Sequence, residues 1–395
     1  MWRYEMCTER VMSTAVIGMG HMGSRYAEFI AKGQVPGMKL SAVTRIHEER
    51  LEQLKDILPQ GLPIYPSADD LFLAVDGKEL HLDCVIIVTP HYSHEDIAKK
   101  AFARGLHVLC DKPAGVYSRQ ARNMESARKD GLQYGFIFHQ RTFPVYKKLR
   151  EIVKSKRYGS IKRVNWVMSD WYRPNVYYTS GKWRATWEGD GGGTLLNQCP
   201  HNLDLLQWIC GMPARTQSFC HEGKYHPIPV EDEVTSYLEW ENGATGVFFA
   251  TTGEASGINR LEISLEDALL VCEKGSLEIF ELDQPECVYR QEKEDAFIKP
   301  RGELKEIPCE KEREPYVEIL KNFVAAVFDG AALTAPGEEA RKSLLLSNAM
   351  YLSAWEHRMV EIPVPGSREE LEFEAAFERG IEKKKITGKG EKILC

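Results

Sequence analysis

The sequence predicts an α/β protein: a doubly wound parallel sheet, followed by an α+β part built on an open-faced, mostly antiparallel sheet. Three observations carry this. Short apolar runs alternate with helical stretches from Ser13 to about Tyr134. The first run leads directly into Gly18-Met19-Gly20-His21-Met22-Gly23. After Phe136 the pattern changes to alternating, β-rich runs. Repeated β-α units require parallel strands with helices on both faces, whereas meandering strands of period two pair antiparallel.

In chain order, the first strands are expected at Thr14–Ile17, Leu40–Val43, Asp83–Val88 and His107–Cys110. Helical patterns lie between them near Ser24–Ala31, Glu48–Ile57, His94–Ala103 and Arg119–Lys129. A helix follows near Val145–Ser155. Strands are then expected at Ile161–Asp170, Val234–Trp240, Gly246–Thr251, Arg260–Leu265, Ala268–Cys272 and Ser276–Glu281. Glu241-Asn242-Gly243 reads as a hairpin turn. Helices return at Pro315–Phe328 and Gly337–His357, with a last strand at Val360–Val364 and a last helix at Arg368–Lys384. The end, Lys383 to Lys392, reads as a frayed tail.

A chain of 395 residues suggests two domains. The net charge of -7 argues against a nucleic-acid or anionic-membrane partner. No apolar run is long enough to span a bilayer, and Met1 to Met12 lack the apolar core of a signal peptide. The ten cysteines are scattered without a CxxC pair. Reduced thiols in a cytoplasmic protein, with no metal site, are therefore expected.

The glycine motif stands where a dinucleotide needs it, after a strand and opening a helix. Gly18 permits the turn, Gly20 lets backbone approach a pyrophosphate, and Gly23 brings helix and strand together. His21 and Met22 sit between them, at the phosphate-binding helix end. This assigns residues 13–135 to a Rossmann dinucleotide-binding domain and leaves 136–395 as a second domain, to which the resemblance described below gives the substrate and oligomerisation roles. The second strand runs out through Thr44 to Arg45, where an acid would hold the ribose of NAD. Arg45 can clamp a 2′-phosphate, stack on adenine, or be a plain surface residue. The cofactor is NAD or NADP, with a lean to NAD. Two more segments stand at strand ends, where ligands bind in such sheets: Thr89-Pro90-His91-Tyr92-Ser93-His94 and Asp111-Lys112-Pro113.

In the second part, Gly191-Gly192-Gly193 opens a helical run in which Asn197 and His201 are spaced to share one face, with Asp204 beside His201. Upstream lies an aromatic segment with Trp166, Trp171, Tyr172, Tyr177, Tyr178, Trp183 and Trp187, interleaved with Arg173 and Arg184. Such rings suit the C–H faces of sugars, and arginines suit hydroxyls or carboxylates; ordinary sheet packing is the bland alternative. Gln140 and Arg141 are placed to join them.

These motifs, in this order over about Ser13 to Val364, resemble the glucose–fructose oxidoreductase / inositol dehydrogenase (Gfo/Idh/MocA) family. The carriers are Gly18–Gly23, Thr89–His94, Asp111-Lys112-Pro113 and Gly191–Asp204. The resemblance implies a Rossmann domain followed by a sheet domain that mediates homo-oligomers. It also implies cofactor contacts from Thr44, Thr89, Pro90, His94 and Lys112, and catalytic roles for Lys112 and His201. Asp111 replaces the usual glutamate, and Asn197 replaces an aspartate. An amide takes no proton, so the base role falls to His201 alone. Gln140, Arg141, Trp171, Arg173, Tyr178, Trp183, Arg184 and Asn197 would line the substrate.

The reaction that the resemblance, closest to bacterial sugar and glycoside dehydrogenases, implies is oxidation of a secondary hydroxyl of a sugar or glycoside, at C3 of a glucose unit. His201 would take the hydroxyl proton, and Lys112 would stabilise the alkoxide. The rivals are an inositol dehydrogenase, an NAD-dependent glycosidase built from the same parts, and a non-catalytic dinucleotide sensor. Retention of both Lys112 and His201 argues against the sensor.

Overall fold

The computed structural model describes residues 10–44, 48–181 and 183–387. They form two compact units. One comprises residues through Gly115, Gln120–His139 and Arg313–Ala340; the other comprises Val116–Arg119, Gln140–Glu312 and the chain from Arg341.

The first unit contains β1 (Met12–Ile17), α1 (His21–Ala31), β2 (Met38–Thr44), α2 (Glu48–Leu54), β3 (Ile64–Tyr65) and α3 (Ala68–Asp76). It continues through β4 (Cys84–Ile87), α4 (His94–Ala103), β5 (His107–Cys110), α5 (Ser118–Ala127) and β6 (Tyr134–Phe136). The strands lie in the order β3-β2-β1-β4-β5-β6, all parallel. Strand residues Cys84–Ile87 are buried throughout, as a sheet covered on both faces requires. β3 escaped the sequence reading because two residues show no period, and α3 was not read as a helix. What marks α3 is its cap: the Ser67 hydroxyl accepts the Asp70 N–H at 3.1 Å.

The second unit begins with α6 (Pro144–Ser155), β7 (Ile161–Met168), α7 (Asn175–Thr179), α8 (Thr194–Asn197) and α9 (Pro200–Cys210). Next come β8 (Arg215–Glu222), β9 (Glu231–Glu239), β10 (Thr245–Thr251), β11 (Asn259–Leu265), β12 (Ala268–Glu273), β13 (Ser276–Leu282), α10 (Glu286–Arg290) and β14 (Gly302–Glu306). The chain then forms α11 (Pro315–Asp329), α12 (Gly337–Glu356), β15 (Val360–Glu361) and α13 (Arg368–Thr387). The sheet order is β14-β13-β12-β11-β7-β10-β9-β8-β15. Among the described strands of this sheet only β7 and β10 pair parallel, so the sheet is mixed and mostly antiparallel. Alternation buries Val164, Trp166, Phe248, Leu261 and Leu270 on one face, against which α6 packs. β8 was missed because its inward residues are polar. Thr216 and Ser218 are buried, and the Ser353 hydroxyl accepts the Ser218 N–H at 2.9 Å.

Two features differ from the sequence reading. The expected boundary at 135/136 ignores α11, which returns to the first unit. Val317, Ile319, Leu320, Phe323 and Val324 of α11 are buried in the core formed by Met12, Val16, Tyr26, Phe29 and Leu40. In addition, helix α13 runs through Thr387, past the expected start of a frayed tail, and Lys384 pairs with Glu222 at 2.6 Å. No described helix is long and apolar enough to cross a membrane. The described cysteines are free thiols.

Because α11 completes the nucleotide unit's core, Phe323→Ala should destabilise that unit by ~3–5 kcal/mol. Hydrogen exchange in β1 and β2, measured without added cofactor, reads this. Unchanged protection there would detach α11 from the core.

Candidate active site

In the first unit, β1 ends at Ile17 and the backbone turns at Gly18, whose φ of +99° a side chain would strain. A Cβ there would stand 2.5 Å from the Val88 carbonyl oxygen. At Gly23 a Cβ would stand 1.9 Å from the Gly18 carbonyl oxygen, so helix α1 lies against its own strand only because both are glycine. Gly20 is different: nothing described lies within 4 Å of a Cβ there. α1 has no side-chain cap and no acidic residue in its first turn. An open approach to uncapped N–H groups fits a dinucleotide pyrophosphate. His21 is exposed and Met22 half-buried at this helix end.

Other residues expected to touch the cofactor hold the loop ends. The buried Thr44 hydroxyl accepts the Gly18 N–H at 3.1 Å, tying β2 to the glycine turn. Thr89 is half-buried, and its hydroxyl accepts that of Ser93 at 2.7 Å; Pro90 is exposed. His94 is fully buried. Its ring nitrogens lie 2.7 Å from the Thr89 carbonyl and 3.0 Å from that of Pro113, so it braces the loops after β4 and β5. Burial lowers its pKa. Arg45 lies outside the described residues.

Lys112 is half-buried, and its N–H donates to the Asp111 carboxylate at 2.9 Å. Loss of water pushes Asp111 up to about 6, opposed by the Lys112 charge. Sequence reading missed His139. Its ring stacks on Tyr316 at 4.1 Å, and burial, then Lys112 and Arg25, lower it to about 3. It is thus a neutral imidazole beside two cations.

In the second unit, the expected continuous helix through Asn197 and His201 does not form. Pro200 opens α9 as a separate helix after the four-residue α8. His201, 6 % exposed, sits in the first turn of α9. Asp204 lies one turn further along the same helix. Its carboxylate receives Arg141 Nε at 2.7 Å and Nη2 at 2.6 Å. Arg141 is 1 % exposed, and its fork of bonds fixes α9.

Asn197 is a hub. Its Oδ1 accepts the Tyr177 hydroxyl at 3.0 Å, and its Nδ2 donates to Asp190 at 3.1 Å. Arg184 Nη1 donates to the same Tyr177 oxygen at 3.0 Å, and its guanidinium lies over the Trp183 and Tyr177 rings. Arg173 lies over Trp171 and Tyr177. Tyr178 donates to the Thr252 hydroxyl at 2.7 Å. Gln140 Oε1 and Trp171 Nε1 are buried polar atoms without a described protein partner. Trp166 and Trp187 instead follow the bland reading: both are buried, donating to Asn259 and to the Pro229 carbonyl.

Two carboxylates that sequence reading missed hold this arrangement. Buried Glu231 accepts the Gly193 N–H at 2.9 Å, the Leu195 N–H at 2.8 Å and the Tyr351 hydroxyl at 2.7 Å. Burial raises it to about 7 against the pull of those donors. Its contribution to stability is therefore complete below the ordinary glutamate range and is lost as pH rises through about 7. Asp232, wholly buried, accepts the N–H groups of Lys224, Tyr225 and His226. The only sequence signal was a run of three acids, Glu231-Asp232-Glu233, opening a strand.

The glycine geometry separates binding from folding. Gly20→Val should leave the unfolding temperature close to the parent's and abolish NAD binding in calorimetry, because its side chain enters open space that the pyrophosphate needs. Gly23→Ala should lower the unfolding temperature itself. NAD binding by Gly20→Val as tight as the parent's would show the phosphates to lie elsewhere.

Comparison with known proteins agrees with both units. Residues 12–138 match the oxidoreductase family with an NAD-binding Rossmann fold, and residues 146–278 match the GFO/IDH/MocA C-terminal domain. The rhizopine catabolism protein MocA of Rhizobium meliloti is 28 % identical over 50 % of this chain, a match spanning 56 % of that protein. D-glucoside 3-dehydrogenase of Escherichia coli is 26 % identical, covering 65 % of this chain and 74 % of that one. Myo-inositol 2-dehydrogenase of Thermotoga maritima is 23 % identical over 89 % and 98 %. Among solved structures, the WlbA dehydrogenase of Chromobacterium violaceum, in complex with NADH and UDP-GlcNAcA, superposes with a TM-score of 0.75. It is 25 % identical and covers 90 % of this chain and 97 % of that chain. With a Rossmann unit whose open glycine turn fits NAD and a mixed-sheet second unit, each matched by the corresponding family domain, the chain belongs to the Gfo/Idh/MocA family of NAD-dependent oxidoreductases.

Proposed function

We propose that this protein oxidises a secondary ring hydroxyl of a sugar or glycoside to a ketone, at C3 of a glucose unit. The observation that carries the reading is the arm around Tyr177. Two guanidiniums and several rings converge there, and the Tyr177 hydroxyl is bonded to Asn197. Such surfaces suit the C–H faces and hydroxyls of a pyranose. Gln140 Oε1 and Trp171 Nε1 add an acceptor and a donor for substrate hydroxyls. Similarity to a D-glucoside 3-dehydrogenase supports the choice of carbon. Similarity to a myo-inositol 2-dehydrogenase keeps a cyclitol, with similar equatorial hydroxyls, as the second reading.

Gly18, Gly20, Gly23 and the open end of α1 would hold NAD, which supplies the two-electron acceptor when bound. His201 accepts the hydroxyl proton as the alcohol becomes a ketone. Lys112 stabilises the developing alkoxide with its charge. Asn197, already committed to Tyr177 and Asp190, positions and carries no proton.

His201→Ala and Lys112→Ala should each lower kcat by roughly 10²- to 10⁴-fold. Asn197→Ala should cost less; a larger loss from Asn197 than from His201 would overturn the assignment. The substrate is tested with methyl and aryl glucosides, glucose and myo-inositol, locating any ketone by carbon NMR. Turnover of inositol alone would remove the glycoside reading.

The protein also acts, in this proposal, as a homo-oligomer through the outer face of the second unit's sheet. Phe219 is 56 % exposed, Val247 40 %, and Val167 and Tyr237 38 % each, on neighbouring strands. Arg260, Glu262 and Glu273 form a rim of both signs beside them, which suits a self-complementary contact with a second copy. Val247→Glu should shift the sedimentation coefficient towards that of a monomer. A parent that sediments as a monomer would refute the contact.

A further inference from the structure

We propose that His226 is a positioning residue for the aromatic arm, and that it holds the arm as a doubly protonated imidazolium clamped between Asp232 and the backbone of Arg173. The inference rests on the reading of that arm as the sugar contact. His226 is 6 % exposed and Asp232 wholly buried. The ring's Nδ1 lies 2.9 Å from Asp232 Oδ2, and its Nε2 lies 2.8 Å from the Arg173 carbonyl oxygen. Both neighbours can only accept, if the carboxyl is ionised. A neutral imidazole donates through one nitrogen and would set the other's lone pair against an oxygen.

The remaining question is whether the carboxyl or the ring carries the extra proton. Asp232 already accepts three backbone N–H groups, from Lys224 at 3.0 Å, Tyr225 at 2.8 Å and His226 at 2.9 Å. Donors of that number favour the carboxylate, so the proton belongs on the ring. The other charged groups nearby are engaged elsewhere. Lys224 and Tyr225 direct their side chains to Glu233, which also has His221 at 3.9 Å. The Arg173 guanidinium lies over Trp171 and Tyr177. The neutral Tyr178 ring stands 4.7 Å from the His226 ring.

The clamp fixes the arm where it leaves the sheet. Arg173 N–H donates to the Thr252 carbonyl at 2.9 Å, and Thr252 N–H donates to the Asp232 carbonyl at 3.0 Å. Tyr178 adds its bond to the Thr252 hydroxyl. The His226 bond reaches the arm through an imidazole. An imidazole with a single N–H could keep only one of the two bonds. The arm then loosens while α8 and α9, held by Glu231 and Arg141, stay in place.

The test uses the full-length protein with saturating NAD. Histidine-selective nitrogen NMR, assigned by comparison with His226→Phe, should show both His226 nitrogens protonated at neutral pH. A single protonated nitrogen would overturn the proposal. His226→Phe keeps a ring against Tyr178 but donates nothing. It should speed hydrogen exchange over residues 171–180 and leave 194–210 unchanged; unchanged exchange in 171–180 would also overturn it. Its KM should rise about tenfold for whichever of methyl β-D-glucopyranoside or myo-inositol the parent oxidises, with a smaller change in kcat. His226→Gln, which can donate one bond, should fall between the two; equal KM in all three proteins counts against the clamp. A parent that oxidises neither sugar defeats the substrate reading, and the NMR and exchange results still decide the role of His226.

Discussion

Two adjacent buried carboxylates, Glu231 and Asp232, govern the second unit. A carboxylate taken out of water is tolerated only where donors surround it. Here the donors come from the glycine run and α8, from α12, and from the 224–226 turn. Gly193, Leu195 and Tyr351 serve Glu231, and Lys224, Tyr225 and His226 serve Asp232. Neighbouring residues of a strand point to opposite sides. One strand start therefore anchors the glycine run and α8 with one acid, and the 224–226 turn and the aromatic arm with the other. The arm's rings and guanidiniums add packing, but the backbone path that presents them is set by the hydrogen bonds these two acids accept.

The buried Arg141–Asp204 pair does for α9 what Glu231 does for α8. Its fork of two bonds fixes rotation as well as distance. The cost of desolvating both groups is high, so the pair is better read as specifying geometry than as adding stability. His201 benefits directly, because it stands one turn before Asp204 on the same helix.

The first unit solves a different problem. Its sheet is buried on both faces, and its ligand-facing parts are loops at the carboxyl ends of strands. Such loops need bracing from behind. Thr44 braces the glycine turn from β2, and His94 braces the turns after β4 and β5. Residues that match a binding motif therefore divide into those that face open space, such as Gly20, and those that hold the frame. The motif itself does not distinguish the two.

By itself the sequence determined the parallel nucleotide unit, the mixed sheet and the residue types of the chemistry. These depend on short-range signals: the period of apolar residues, glycines at fixed spacing, and a lysine at a strand end. Even the break between Asn197 and His201 was local, since Pro200 cannot continue the hydrogen bonding of a preceding helix. Tertiary structure alone decided that α11 returns to the first core, that Arg141 belongs to Asp204, and that Glu231 and Asp232 hold loops. Those pairings cross long separations, as with Glu231 and Tyr351, 120 residues apart. A charged residue on a strand carries no local mark of the donor it will meet. Only when the strand is placed and water is excluded does that donor become a requirement.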